Sequence, residues 1–293
     1  MRPRPSNPVS RRQFLLGTGA AAGAVLLGAC GGDDSGGGLA LVQFFGGAPM
    51  LVAGREVRAP FGLADADGLL PIDRNPTSLT VTLLGPDNEV VGEPVEVERH
   101  AEGLPRAYYP LRFTVDAPGI YAGRTEVGGD AVEMAIKIDA AGDVQVIQVG
   151  AAMPAIVTPT TADAQGVDPI CTHDPVCPLH DVTVADAIAA GRPTALLVAS
   201  PAFCQIAICG PVLDVLLGVA DDHPDVQLLH AEVYAHPDQA LDVKTAAVDE
   251  LGLTFEPCLV LVGSDGTVVE RLDTIFDEVE VGEALTRLLG GPR

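Results

Sequence analysis

The chemistry legible in this chain is that of its cysteines. Cys204 and Cys209 stand five positions apart in SPAFCQIAICGPVLD, residues 200–214, after an apolar run and before a helical pattern. Such a pair can be a redox couple, a metal clip or two buried small side chains. Residues five apart on a regular helix point about 140° away from each other, whereas a disulfide needs Cα atoms roughly 4.4–6.8 Å apart. Cys204 and Cys209 therefore pair only if Cys204 precedes the helix or its first turn is irregular. The expected arrangement is a strand ending near Ser200, a loop through Cys204 and a helix from about Ile206 onward. A thiol at a helix start meets free backbone N–H groups and the positive end of the dipole, which favour the thiolate. The thiolate is the form that attacks disulfides.

Cys171 and Cys177 bracket the stretch THDPV. In an oxidising compartment this spacing reads as a structural disulfide closing a small loop. A sharper reading makes Cys171, His173, Cys177 and His180 a zinc or copper cage. The ligand types suit it, but Cys-x-His-x3-Cys-x2-His is not a common structural-zinc spacing, so the disulfide is the expectation. His230, in LLHAEVY, reads as a central-strand residue with a satisfied hydrogen bond. No Ser-His-Asp arrangement, phosphate loop or paired-carboxylate spacing stands out.

The elements that position these residues change character along the chain. From Thr183 helix and strand patterns alternate: Thr183 caps VADAIAAG, PTALLVAS is a buried strand, GPVLDVLLGVADD has a helical apolar face and VQLLHAEVY is a second strand. A helix is expected over Asp238–Leu251 with Leu241, Val248 and Leu251 inward. CLVLVG and TVVERL follow as a hairpin around Ser264-Asp265-Gly266. A last helix is expected over Val279–Leu289, with Ala284, Leu285, Leu288 and Leu289 inward. Residues 39–139 instead read as about seven short strands, from Ala40–Phe45 to Ala131–Ile138 and including Val90–Val97, separated by Gly, Pro and Asn turns. That count suggests a β-sandwich. Residues 140–182 form a Pro-rich connecting segment, with Cys171 and Cys177, expected to wrap over the last part of the chain.

Two resemblances follow from these motifs. FTVDAPGIYAGRTEVGG resembles strands of immunoglobulin-like domains, with Tyr121 near the start of a late strand. The order β-α-β-α-β-β-α, with Phe203-Cys204, PVLDVL from Pro211 and EPCLVLVGSDG from Glu256, resembles thioredoxin-like proteins over roughly residues 183–290. The stretch from PICTHDPVCPLHDVT to SPAFCQIAICGPVLD resembles exported bacterial thioredoxin-domain lipoproteins. The fold implied is an α/β thioredoxin-like C-terminal domain, 183–293, preceded by an all-β immunoglobulin-like sandwich, 39–139. The resemblance implies that Cys204 is the attacking cysteine, that Cys209 resolves the mixed disulfide and that Pro257 is a cis proline beside that sulfur. The spacing departs from the family: four residues separate the cysteines, not two. An alternative register puts Cys209-Gly210-Pro211 on the family's C-G-P, which would make Cys209 the attacker. Cys258, next to Pro257, is a candidate third redox residue, a soft ligand for copper with Cys204 and Cys209, or a buried small hydrophobe.

The first residues set the compartment. SRRQFLLGTGAAAGAVLLGAC has paired arginines, Arg11 and Arg12, and then no charge until Asp33. It resembles a twin-arginine signal over residues 1–29, ending in a bacterial lipoprotein box at Cys30, whose sulfur would take a lipid. GGDDSGGG continues the Gly-rich tether, residues 30–38. The expected location is the extracytoplasmic face of the bacterial cell membrane. The net charge of −23 disfavours nucleic acid, because a phosphate backbone would be repelled. The expected partners are exported protein thiols or disulfides, and no cofactor is expected. The expected function is a membrane-anchored thiol–disulfide oxidoreductase. The alternatives are a copper-binding, metal-delivering thioredoxin-fold protein, and a non-catalytic cell-surface binding protein with structural disulfides.

Overall fold

Alternating apolar and polar residues build the first half from strands. The computed structural model describes residues 38–44, 49–204 and 206–290; the signal, Cys30 and the tether through residue 37 lie outside the described residues. The strands are β1 (Ala40–Gln43), β2 (Glu56–Asp65), β3 (Gly68–Leu69), β4 (Ser78–Leu84), β5 (Val95–Glu98), β6 (Tyr109–Thr114), β7 (Gly119–Val127) and β8 (Asp130–Ile138). One sheet runs β1-β2-β3 with β6 also on β2, and a second runs β5-β4-β7-β8. All of these pairings are antiparallel. In β8 the period of two buries Val132, Met134, Ile136 and Ile138. They share a core with Val81 and Leu83 of β4 and with Phe61, Leu63 and Leu111 of the other sheet. Burying each such side chain is worth about 1.5–3 kcal/mol. The Tyr121 hydroxyl donates to the Ala117 carbonyl at 2.9 Å and pins the turn into β7.

The expected strand Val90–Val97 is shorter: Val90 is exposed and makes only a bridge to Leu84, and regular pairing starts at Val95. Pro94, which has no N–H to give a ladder, ends the irregular stretch before it.

The connecting segment finds its hydrogen bonds on the last part of the chain. Ile147 N–H donates to Leu251 C=O, Gly150 to Val268, Met153 to Gly266 and Asp168 to Ala235. Then come α1 (Val184–Ala189), β9 (Thr194–Val198), α2 (Cys209–Gly218), β10 (Gln227–Ala231), β11 (Tyr234–His236), β12 (Ala240–Lys244), α3 (Ala246–Glu250), β13 (Cys258–Val262), β14 (Val268–Asp273) and α4 (Glu278–Leu288). Thr183 caps α1, its side chain accepting from Asp186 N–H. The third sheet has the order β10-β9-β13-β14. β10 is parallel to β9, while β13 is antiparallel to β9 and β14.

Helices cover both faces of this sheet. Val212, Leu213 and Leu216 of α2 and Val281 and Leu285 of α4 pack with Leu197, Leu259 and Leu261. Val184 and Ala187 of α1 and Ala247 and Val248 of α3 pack on the other face with Val198 and Val260. That second layer is continuous with the core of the strand half, and the described residues form one compact unit.

Two sequence expectations need correction here. The helix expected over Asp238–Leu251 is α3 alone, because residues 240–244 form β12 against β11. ALDVK alternates with a period of two, and Leu241, expected inward, is exposed. Leu289, also expected inward, is exposed just past the end of α4.

Candidate functional site

The loop from β9 to α2 carries the cysteine pair. β9 ends at Val198, the chain turns with Phe203 N–H donating to Ser200 C=O, and α2 begins at Cys209. Cys204 therefore lies in the loop before the helix. It is joined to Cys209 by a disulfide with the Cα atoms 5.9 Å apart. Between them Ala207 has φ +53°, the left-handed region that turns the chain back towards the helix. Pro211 sits in the first turn, where its missing N–H costs nothing.

The head of α2 points at the half-buried partner of the pair. Ile208, in the capping position, makes no side-chain bond. Cys209 N–H instead donates to the Cys204 sulfur at 3.3 Å. Cys209 itself is fully buried, whereas Cys204 is half-buried. Reagents thus have a path to Cys204 and none to Cys209.

A carboxyl group stands behind the buried sulfur. Glu256 Oε2 lies 3.5 Å from Cys209 Sγ. The same oxygen accepts Ser200 N–H at 2.9 Å, and Tyr234 Oη donates to Oε1. Burial, with added repulsion from Glu232, pushes the Glu256 carboxyl up to about 7, although the Ser200 N–H opposes that rise. Glu232 is fully buried, and burial raises its carboxyl as well. Its oxygens accept from Ser200 Oγ and from Thr172 N–H and Oγ1. The Glu256–Pro257 peptide bond is cis, Pro257 is buried, and β13 begins at the next residue, Cys258.

Cys258 does not join this group. It is fully buried, lies in the core layer of α1 and α3, opposite Cys209, and contacts Asp273 Oδ1 at 3.4 Å. Burial holds its thiol well above the ordinary value.

A second cluster sits at the sheet edge. Cys171 and Cys177 are free thiols with their sulfurs 3.8 Å apart, so the expected Cys171–Cys177 disulfide is not formed here. Two histidines face them: His180 Nε2 lies 3.2 Å from Cys177 Sγ, and His230 Nδ1 lies 3.4 Å from Cys177 Sγ and 3.7 Å from Cys171 Sγ. All four residues are buried. His173, the second histidine of the cage considered from sequence, is instead held by Pro175 C=O and Asp214.

Sequence reasoning missed Glu256, Glu232 and His230. A signal existed for the last two: His230 and Glu232 are polar residues two apart in an apolar strand pattern, which puts them on one side of it. The signal for Glu256 was its place directly before Pro257.

Residues 8–28 match the family model of the TAT (twin-arginine translocation) pathway signal sequence, and the protein is exported across the membrane. No curated protein matches the chain. Among the described residues no helix is long and apolar enough to cross a membrane.

Proposed function

We propose that this protein is an extracytoplasmic thiol–disulfide oxidoreductase that exchanges disulfides with exported proteins, tethered to the bacterial membrane by a lipid on Cys30. In this reading the C-terminal half is thioredoxin-like and the strand half an immunoglobulin-like sandwich. The sheet order β10-β9-β13-β14 and the cis bond at Pro257 support the first assignment. The Tyr121–Ala117 hydrogen bond supports the second.

The observation that carries the function is the asymmetry of the pair. Cys204 is reachable and receives a helix N–H, while Cys209 is sealed in beside a carboxyl group. A substrate thiolate attacks Cys204 Sγ, the Cys204–Cys209 bond breaks, and its electron pair leaves on Cys209. Glu256, neutral below about pH 7, gives Cys209 its proton. The substrate's second thiolate then attacks the other substrate sulfur of the mixed disulfide, the bond to Cys204 breaks, and Cys204 leaves as a thiolate that takes a proton from water. The substrate dithiol is oxidised to a disulfide and the protein's disulfide is reduced to two thiols, a two-electron exchange. In the reverse direction Glu256 takes the proton and Cys209 is the resolving nucleophile. The register with Cys209 as attacker is disfavoured by its burial.

The test is disulfide exchange with a reduced or oxidised model protein, followed in the full chain. Cys204→Ser loses exchange to background, and Cys209→Ser accumulates a mixed disulfide on Cys204. Wild-type exchange in Cys204→Ser would overturn the assignment.

A further inference from the structure

We propose that Cys171, Cys177, His180 and His230 form a closed tetrahedral centre for zinc(II), separate from the Cys204–Cys209 pair. Zinc bound by two thiolates and two imidazoles, with metal–sulfur distances of about 2.3 Å and metal–nitrogen distances of about 2.0–2.1 Å, sets tetrahedral edges of about 3.8 Å between sulfurs and about 3.5 Å between sulfur and nitrogen. The sulfurs here are 3.8 Å apart, and three of the four sulfur–nitrogen separations are 3.2, 3.4 and 3.7 Å. All donor atoms lie within 4.8 Å of one another. Four of the six edges therefore already match the lengths the ion requires, and the other two lie within 4.8 Å.

The surroundings fit the same reading. His230 Nε2 lies 2.9 Å from Ala199 C=O. A proton on Nε2 leaves the Nδ1 lone pair facing the sulfurs, the outer-shell arrangement that fixes a ligating imidazole. Among the described residues His180 Nδ1 has no hydrogen-bond partner, while its Nε2 is aimed into the cluster at Cys177 Sγ. A disulfide would use two of the four groups and leave two buried imidazole nitrogens facing a weak acceptor. Two thiolates instead neutralise a dication, so the occupied site carries no net charge into the dry interior. Binding expels the two thiol protons. Four protein ligands leave no open position, which makes the centre structural rather than catalytic.

Its role follows from its place. β10 is an edge strand, and the centre clamps the connecting segment onto it, next to the Leu179 C=O bonded by His230 N–H. Thr172, adjacent to Cys171, accepts Ala202 N–H in the loop that leads to Cys204. The zinc centre thus braces the outer side of the redox loop without entering its chemistry.

The experiment is a Co(II) titration of the reduced full chain carrying Cys204→Ser and Cys209→Ser, with zinc as competitor. The expected result is one equivalent of Co(II) with the intense visible bands of a tetrahedral site and sulfur-to-metal charge transfer, displaced by one equivalent of zinc. Cys177→Ser and His230→Ala in that background bind about a hundredfold more weakly or worse. Because those variants can misfold, the parent spectrum decides by itself: an octahedral spectrum, or no binding, overturns the proposal. So does undiminished affinity in a variant that retains its circular dichroism. Both Cys204 and Cys209 are absent from the test protein, so its outcome is independent of the oxidoreductase reading.

Discussion

In the proposed exchange reaction, the proton inventory around Cys209 is what would distinguish this pair from a passive cross-link. A buried thiol resolves a mixed disulfide only when something takes its proton, and Glu256 is the group within reach at 3.5 Å. Its carboxyl titrates at about 7 because burial outweighs the stabilising Ser200 N–H. When the reduced protein reacts with a disulfide substrate, resolution should therefore rise as pH increases through about 7 and Glu256 becomes a base. Glu256→Gln keeps an acceptor for Ser200 N–H and removes the base. We expect slower resolution in that variant, by about tenfold to a hundredfold near neutrality, and an inflection moved up towards the thiol's own range. Stopped-flow measurements of single-turnover exchange across pH check this, and superimposable profiles would sink the role. Raising the Glu256 carboxyl above its unfolded value also means that it favours folding fully at low pH. That contribution is lost as pH climbs through about 7.

At the scale of elements, the helix that follows the pair was readable because its cue is local. GPVLDVLL has a helical apolar period, and a pair five apart that must approach within disulfide range forces one member into the loop. β12 was not readable as a strand for the opposite reason. ALDVK alternates, but it is flanked by residues compatible with a helix, and pairing with β11 decides its state. Three donors of the cysteine–histidine cluster, Cys171, Cys177 and His180, are legible together in one irregular segment, but the fourth, His230 and not His173, comes from β10, fifty residues on from His180; only the tertiary packing brings it to them. The connecting segment also depends on how α3 ends. Gly252 has φ +63°, and a Cβ there would stand 2.5 Å from Gln145 C=O, which is backbone and cannot swing away. Gly252→Ala should cost about 1–2 kcal/mol from the left-handed conformation alone, with the clash added. A urea-unfolding midpoint equal to wild type would show that α3 and residue 145 separate freely.

Across the whole molecule, a chain of net charge −23 spends several of its few cations where the strand half meets α4. Arg58, from β2, donates through Nε and Nη2 to both Glu280 oxygens at 2.7 Å, and to the carbonyls of Asp273 and Ile275. Tyr108 and Arg112 add bonds to the same carboxylate at 2.7 and 2.9 Å. Asp277, which caps α4, accepts Ala101 and Glu102 N–H and pairs with His100. Burial opposes ionisation of Glu280, but the Arg58 charge and hydrogen bonds, with help from Arg112 and Tyr108, outweigh it and hold the carboxyl at about 2. Its folded value is below its unfolded one, so its contribution is present above about pH 4.3. It is lost as pH falls towards about 2. Replacing Arg58 strands a buried carboxylate, a loss of about 3–5 kcal/mol in comparable buried pairs, moderated here because Arg112 and Tyr108 remain. In Arg58→Met the acid-induced loss of stability should also begin at a higher pH, since the group that depressed Glu280 is gone. Urea unfolding of wild type and variant over a pH series measures both effects. An unchanged acid limb together with unchanged stability at neutral pH would mean that the ion network decorates the junction between the two halves rather than holding it.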